Sequence, residues 1–221
     1  MSNPKAERVD PFAIAPWDKG LSAFGEQFKQ TSPDPETEKK SAARNHIRMI
    51  SELQCPIEHI LIYTDGAQRC INGANQTGAG FSIIHNNREI RSAALPMGKR
   101  AEVFDAEMLA IAAASLQIQD IRNSSANNIK HVHIFTDNVS ALQAIHSPVP
   151  GPTQTHTLAF RECAREFLAG GQDRTLTLEW IPSHHKIPGN ERADRLAKRA
   201  CAAVLPDTFP PMHHYTPKKT S

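Results

Sequence analysis

Two segments of this chain share one pattern. Residues 59–66 read HILIYTDG and residues 131–138 read HVHIFTDN. Each is a short apolar run that ends in Thr-Asp before a turn residue, as buried strands read. Residues 79–85 and 88–95 flank Asn86-Asn87, which predicts a hairpin. A run rich in Ala, Leu, Ile and Met predicts a helix over 101–119. A short helix over 138–146 is closed by SPVPGP, where proline forbids continuation. A further helix over 153–169 stops at Gly170-Gly171. TLTLEWI, residues 175–181, alternates like a strand, and Asn190 opens a last helix to about Val204.

Upstream, Phe12, Ile14, Trp17 and Phe24 stand isolated among polar residues, so residues 1–33 read as an irregular leader. A helix is expected over 34–53, with Asp34 as its cap, acids early and a basic middle. The expected organisation is a leader and linker over 1–54, a compact domain over 55–205 and a disordered, Pro-rich tail over 206–221.

The order β-β-β-α-β-α-α-β-α predicts a mixed sheet with helices on its faces. A right-handed crossover through helix 101–119 sets the two echo strands parallel and adjacent. Their aspartates then share one edge, where open α/β sheets place sites.

Composition narrows the classes. The 221 residues are 39% hydrophobic and 22% charged, enough for one domain with extensions. A net charge of +2 neither advertises nor excludes a nucleic-acid partner. Cys55, Cys70, Cys163 and Cys201 are scattered without a CxxC pair, against a thiolate metal cluster and a disulfide framework. A reduced, intracellular setting is the simpler expectation. No apolar run reaches membrane-spanning length, and MSNPKAERVD lacks a signal-peptide core.

Four carboxylates carry the candidate chemistry. Asp65 is either a turn residue before Gly66 or half of a pair with Asp137, which itself competes for an N-cap role. Glu107 lies in the apolar stripe of Val103, Ala110, Ile111 and Ala114. A charge on a buried face needs a partner, so Glu107 is expected to point toward the sheet that carries Asp65. Asp194 sits early in the last helix beside Ala193, Leu196, Ala197 and Ala200, with Glu191 as its rival. Asn190 is a candidate cap for that helix. In the loop before it, His184 and His185 offer proton transfer near neutral pH or simple solvent exposure.

Taken together, YTDGA, AEMLAI, FTDN and WIPSHHKIPGNERADRLAK resemble ribonuclease H in the family's order, over residues 57–203. The last segment is most similar to the ribonuclease H domain of fungal non-LTR retrotransposon polyproteins, where the domain follows a reverse transcriptase. The resemblance implies a ribonuclease H-like α/β fold with a five-stranded mixed sheet flanked by helices. It implies metal-dependent hydrolysis of the RNA strand of RNA–DNA hybrids, with a carboxylate tetrad of Asp65, Glu107, Asp137 and Asp194. On that pattern Asp65 bridges two Mg²⁺ ions (Mn²⁺ being an acceptable substitute). Asp194 completes the ion that activates water, and Glu107 and Asp137 hold the one beside the leaving 3′ oxygen. His184 matches the family's mobile histidine. Gly66 and Asn138 are expected substrate contacts. A monomer, with no membrane association, is the simplest expectation.

Two departures stand out. Val139 replaces a polar residue that touches the hybrid in many relatives, and SPVPGP replaces the basic protrusion of bacterial ones. Lys99, Arg100 and Lys186 are the nearest basic residues, otherwise surface lysines and arginines of the usual kind. The competing functions are a hybrid-binding module that has lost catalysis and a DNA-cutting integrase or resolvase.

Overall fold

The computed structural model describes residues 18–53, 56–124, 128–147 and 151–203, together with 9, 10, 13 and 149. A 3-10 stretch, Gly20–Gln27, leads into β1, Phe28–Thr31, and α1, Lys39–Ser51. Three long strands follow: β2, His59–Ile71; β3, Ala74–His85; and β4, Arg88–Gly98. Then come α2, Val103–Ser124; β5, His131–Thr136; α3, Val139–His146; α4, Gln154–Ala169; β6, Thr175–Trp180; and α5, Pro188–Cys201.

The sheet runs β1-β6-β5-β2-β3-β4. Strand β3 alone runs against the rest. The echo strands are parallel neighbours, with His59 opposite His131 and Tyr63 opposite Phe135. The sheet has six strands where five are expected, because β1 pairs with β6 from within the supposed irregular leader. Its sequence, FKQT, is polar at three of four positions, and edge strands tolerate that.

Alternation divides the core. Ile60, Ile62, Val132, Ile134, Leu176 and Leu178 pack with Met108 and Ile111 of α2 and Phe160 and Phe167 of α4. On the opposite face Leu61, Tyr63 and Phe135 pack with Ala43 of α1, Ala193 of α5, and Ile181 and Ile187 of the loop before α5. Helix α5 comes closest to the sheet at β3: a Cβ at Gly80 would collide with Ala197 N and Ala193 O. Glycine on the strand and alanine on the helix thereby bring α5, with Asp194, against the backbone.

Several boundaries differ from the sequence expectation. Helix α1 starts at Lys39, not at Asp34. Asp34 instead closes a local turn, accepting bonds from Glu36 N at 3.0 Å and Thr37 Oγ1 at 2.7 Å. The Asp65-Gly66 pair is not a turn. Strand β2 runs through it to Ile71, and the reversal falls at Asn72-Gly73, both with positive φ. An Asn-Gly pair is the stronger hairpin signal, since both central residues of that turn need positive φ. Helix α5 begins at Pro188, so Asn190 lies inside it, not at its cap. Val204 and the tail over 206–221 lie outside the described residues.

Candidate active site

Parallel pairing delivers the two echo aspartates to one place. The β2–β5 register ends at Tyr63 and Phe135, and each aspartate follows two residues later. Asp137 is released from capping because Asn138 takes that role, its Oδ1 accepting from Ala141 N at 3.0 Å. On the other side, α2 crosses β2 at Gly66. A Cβ there would stand 2.8 Å from both Glu107 N and Val103 O. That close crossing turns Glu107 onto Asp65.

Asp65, Glu107 and Asp137 each offer a carboxylate oxygen, and these atoms lie within 4.8 Å of one another. Among the described residues this is the one such cluster of His, Cys, Asp or Glu. Glu107 is 3% exposed, while Val103, placed on the same stripe by the sequence pattern, is 38% exposed. The apolar face of α2 is therefore rotated toward Ala106, Ala110 and Ala114, and Glu107 belongs to it.

Burial and mutual repulsion govern this cluster. Burial, then the charges of Asp137 and Asp194, push the Asp65 carboxyl up to about 8. Burial pushes Glu107 well above its usual range, with Asp65 and Asp137 adding repulsion. The Gly66 backbone and the Asn138 side chain offset part of this by hydrogen bonding, yet Glu107 Oε2 has no hydrogen-bond partner. Burial also raises Asp137, opposed by a hydrogen bond from Asn190 Nδ2 to Asp137 Oδ2 at 3.3 Å.

Asp194 stands outside the three-acid cluster. Its carboxylate is held by Lys198 Nζ at 2.7 Å, although its charge still raises Asp65 and Asp137. His184 is exposed in a left-handed conformation with φ 57°, close enough to Asp137 to lower its pKa electrostatically. His185 bonds back to Ser183 O at 2.6 Å. Lys99 and Arg100 line a surface cavity of about 450 Å³ with Gln68 and Asn75.

Asn190 is a residue that sequence reasoning assigned elsewhere. It is buried, donates to Asp137, and keeps Oδ1 without a partner. Its place in NERAD, four residues before Asp194, puts both side chains on one helix face, and that spacing was the available signal.

Residues 57–202, two-thirds of the chain, match the family model described as RNase H. The chain belongs to the ribonuclease H family. It is accordingly a nuclease, a phosphodiester hydrolase of the ribonuclease H class. Solved ribonuclease H structures share the fold at low identity. The prototype foamy virus protease–reverse transcriptase matches at 19% identity and TM-score 0.53, covering 70% of this chain and 22% of that one. The N-terminal RNase H domain of a Mycobacterium tuberculosis protein, solved as a maltose-binding-protein fusion, matches at 20% identity and TM-score 0.48. That match covers 65% of this chain and 98% of the other. LC11-RNase H1, isolated from compost and solved with an RNA/DNA hybrid, matches at 19% identity and TM-score 0.48, covering 64% and 98%. No curated protein sequence matches this chain. No helix among the described residues is long and apolar enough to cross a membrane.

Proposed function

We propose that this ribonuclease H hydrolyses the RNA strand of RNA–DNA hybrids with two divalent ions, Mg²⁺ or Mn²⁺, held by Asp65, Glu107, Asp137 and Asp194. The observation that carries the reading is the convergence of three acids, two buried and one half-buried, one of them with an orphaned oxygen. Three carboxyls pressed together out of water are unfavourable unless protonated or neutralised. A hard divalent ion takes oxygen ligands and removes that repulsion, so the donor set fits it. When bound, such ions supply an activated water and stabilise the leaving 3′ oxygen.

The chain's own groups have defined tasks in this reading. Asp65 has a carboxylate oxygen within 4.8 Å of both Glu107 and Asp137, so it would help hold an ion bound by either. Asn190 holds Asp137 Oδ2 and fixes that carboxylate's rotation. Asp194, paired here with Lys198, would be the fourth carboxylate available to hold an ion. His184, exposed on its loop, takes up or delivers a proton beside Asp137. Gly66 and Asn138, beside the acids, are the proposed contacts with the nucleic acid. Discrimination of the RNA strand rests on its 2′-hydroxyls. Residues 55–205 are the catalytic unit of this proposal, with 1–54 and 206–221 as its extensions. A parent polyprotein with a reverse transcriptase of the non-LTR type is its natural context, and the foamy virus chain is a protease–reverse transcriptase with which this fold is shared.

A substrate panel tests the proposal. Hybrid, duplex DNA and duplex RNA are incubated with the protein in Mg²⁺, with and without EDTA. Cleavage of the hybrid's RNA strand alone, abolished by EDTA, is expected. Hybrid binding with no turnover at saturating Mn²⁺ would assign the chain to the binding-module reading instead. Cutting of duplex DNA would point to the integrase class.

A further inference from the structure

Helix α1 lies upstream of the matched segment 57–202, yet it reaches the two strands that carry the acids. His46, 7% exposed, shares a hydrogen bond from Nε2 to Tyr63 Oη at 3.0 Å. The same imidazole stands edge-on to Phe135, with centroids 4.6 Å apart and planes at 81°. Tyr63 and Phe135 pack against each other at 4.8 Å. Each of these rings precedes one of the echo aspartates by two residues, in Tyr63-Thr64-Asp65 and Phe135-Thr136-Asp137. One side chain of α1 thus spans both strands two residues before the acids.

The contact extends to α5. Gly189 sits on the Tyr63 ring so closely that any Cβ would collide with it. The next residue, Asn190, bonds Asp137, and Ala193 packs in the cluster that holds Ala43, Tyr63 and Phe135. Ile181 and Ile187, which bracket the loop of His184, belong to the same cluster. Met49, Ile50 and Leu53 of α1 and its C-terminal turn seal its edge.

We infer that His46 is a positioning residue for the acid site: by clamping Tyr63 and Phe135 from outside the matched domain, α1 sets the spacing of Asp65 and Asp137 and the seat of Gly189-Asn190. The inference rests on the proposed hydrolase reading for its activity readout, and on metal binding for an independent one. The chemistry suits the task. A buried imidazole that shares a hydrogen bond with a phenol fixes the ring's in-plane position, whereas apolar contact alone leaves it free to slide. Placement errors near an ångström at reacting groups are costly, so a small shift is expressed in turnover before it is expressed in substrate binding.

Four proteins separate positioning from plain stability: wild type, His46→Ala, His46→Gln and Met49→Ala. Met49 packs against the same cluster but takes no part in the His46–Tyr63 hydrogen bond. All are measured well below their melting temperatures for kcat, KM for hybrid, and the Kd of Mn²⁺. His46→Ala is expected to lower kcat about tenfold and to weaken Mn²⁺ binding, with KM for hybrid within about twofold. His46→Gln, which keeps a hydrogen-bonding group, restores most of both. Met49→Ala lowers the melting temperature and leaves kcat and the Mn²⁺ Kd alone. Unchanged kcat and Mn²⁺ Kd in His46→Ala would overturn the inference, as would equal losses in Met49→Ala. If wild type binds Mn²⁺ but cleaves nothing, the hydrolase reading fails while the Mn²⁺ series still decides the role of His46.

Discussion

The two echo strands end differently. Their leading halves carry His59, His131 and His133, and the trailing ends of the shared pattern carry Asp65, midway along β2, and Asp137, just past β5. At the leading end His59 Nδ1 and His133 Nε2 stand 3.0 Å apart, and His131 Nδ1 bonds Thr175 Oγ1 at 2.8 Å. Burial, then the neighbouring histidines, push His59 down to about 4. At the trailing end burial, then the neighbouring acids, push Asp65 up to about 8. Both ends are driven toward neutrality by the same desolvation. The difference lies in what remains: His59 and His133 share a hydrogen bond, and His133 Nδ1, which makes none, still faces Glu179 Oε1 at 3.7 Å, whereas Glu107 Oε2 has no hydrogen-bond partner and lies in a cluster of acids. At one end the leftover ring nitrogen has a carboxylate beside it; at the other the leftover oxygen sits among like charges, and the proposed cation would answer that.

The largest effect that probes this contrast is on catalysis. Asp65→Asn should lower hybrid cleavage at least about a thousandfold, as removal of a central catalytic group does. His59→Asn at the other end should leave it within about twofold. A quenched-fluorescence hybrid assay reads both, and comparable losses would erase the distinction between the ends.

Next in size is the seating of α5. Gly80→Val should destabilise the fold by about 3 kcal/mol in urea unfolding, because the added methyls meet the helix backbone. An unchanged midpoint would mean that α5 does not press on β3 as described.

Stability against pH separates the ends by sign. Asp65 is raised in the folded protein, so its contribution is present below the ordinary aspartate pKa and lost as pH rises through about 8. Without divalent ions, the melting temperature should therefore fall between pH 6 and pH 9 by roughly the few degrees such a shift carries. Mg²⁺ should recover it more at the alkaline limit than at the acid one. A melting curve indifferent to Mg²⁺ at pH 9 would count against the cation site.

The smallest effect lies on the acid side. His59 and the buried His46 are both lowered to about 4. Their contributions are present above the ordinary histidine pKa and lost as pH falls through about 4. His59→Asn should flatten the melting temperature between pH 6.5 and pH 4.5, to a modest extent because this ring is partly exposed. A steeper acid limb in the variant would contradict the pairing with His133.

Much of this arrangement was legible in the residues. Parallel pairing of the echo strands followed from the crossover rule. Glu107 was legible as a charge on an apolar stripe, although Val103, used to draw that stripe, faces solvent. What could not be read depends on partners far along the chain. Strand β1 is too short and polar to announce itself, and it exists because β6 offers an edge. His46 looks like one more polar residue of a basic helix until Tyr63, seventeen positions on, is placed beneath it. Asn190 mimics a cap because helix-start chemistry and buried hydrogen bonding use the same side chain. Asp194 was legible only as one of two acids early in the last helix, with the resemblance choosing it over Glu191, and its geometry is that of a neighbour paired with Lys198 rather than a member of the tight cluster.

The most direct test of the cation site is a calorimetric Mn²⁺ titration of wild type and Glu107→Gln at pH 7.5, in two buffers of different ionisation enthalpy. With Asp65 raised to about 8, the ion has to displace a proton on entering. Wild type is expected to bind Mn²⁺ and release about one proton per site filled, and Glu107→Gln to bind far more weakly. Binding that is equally tight in Glu107→Gln, or that releases no proton, would contradict the site built from Asp65, Glu107 and Asp137.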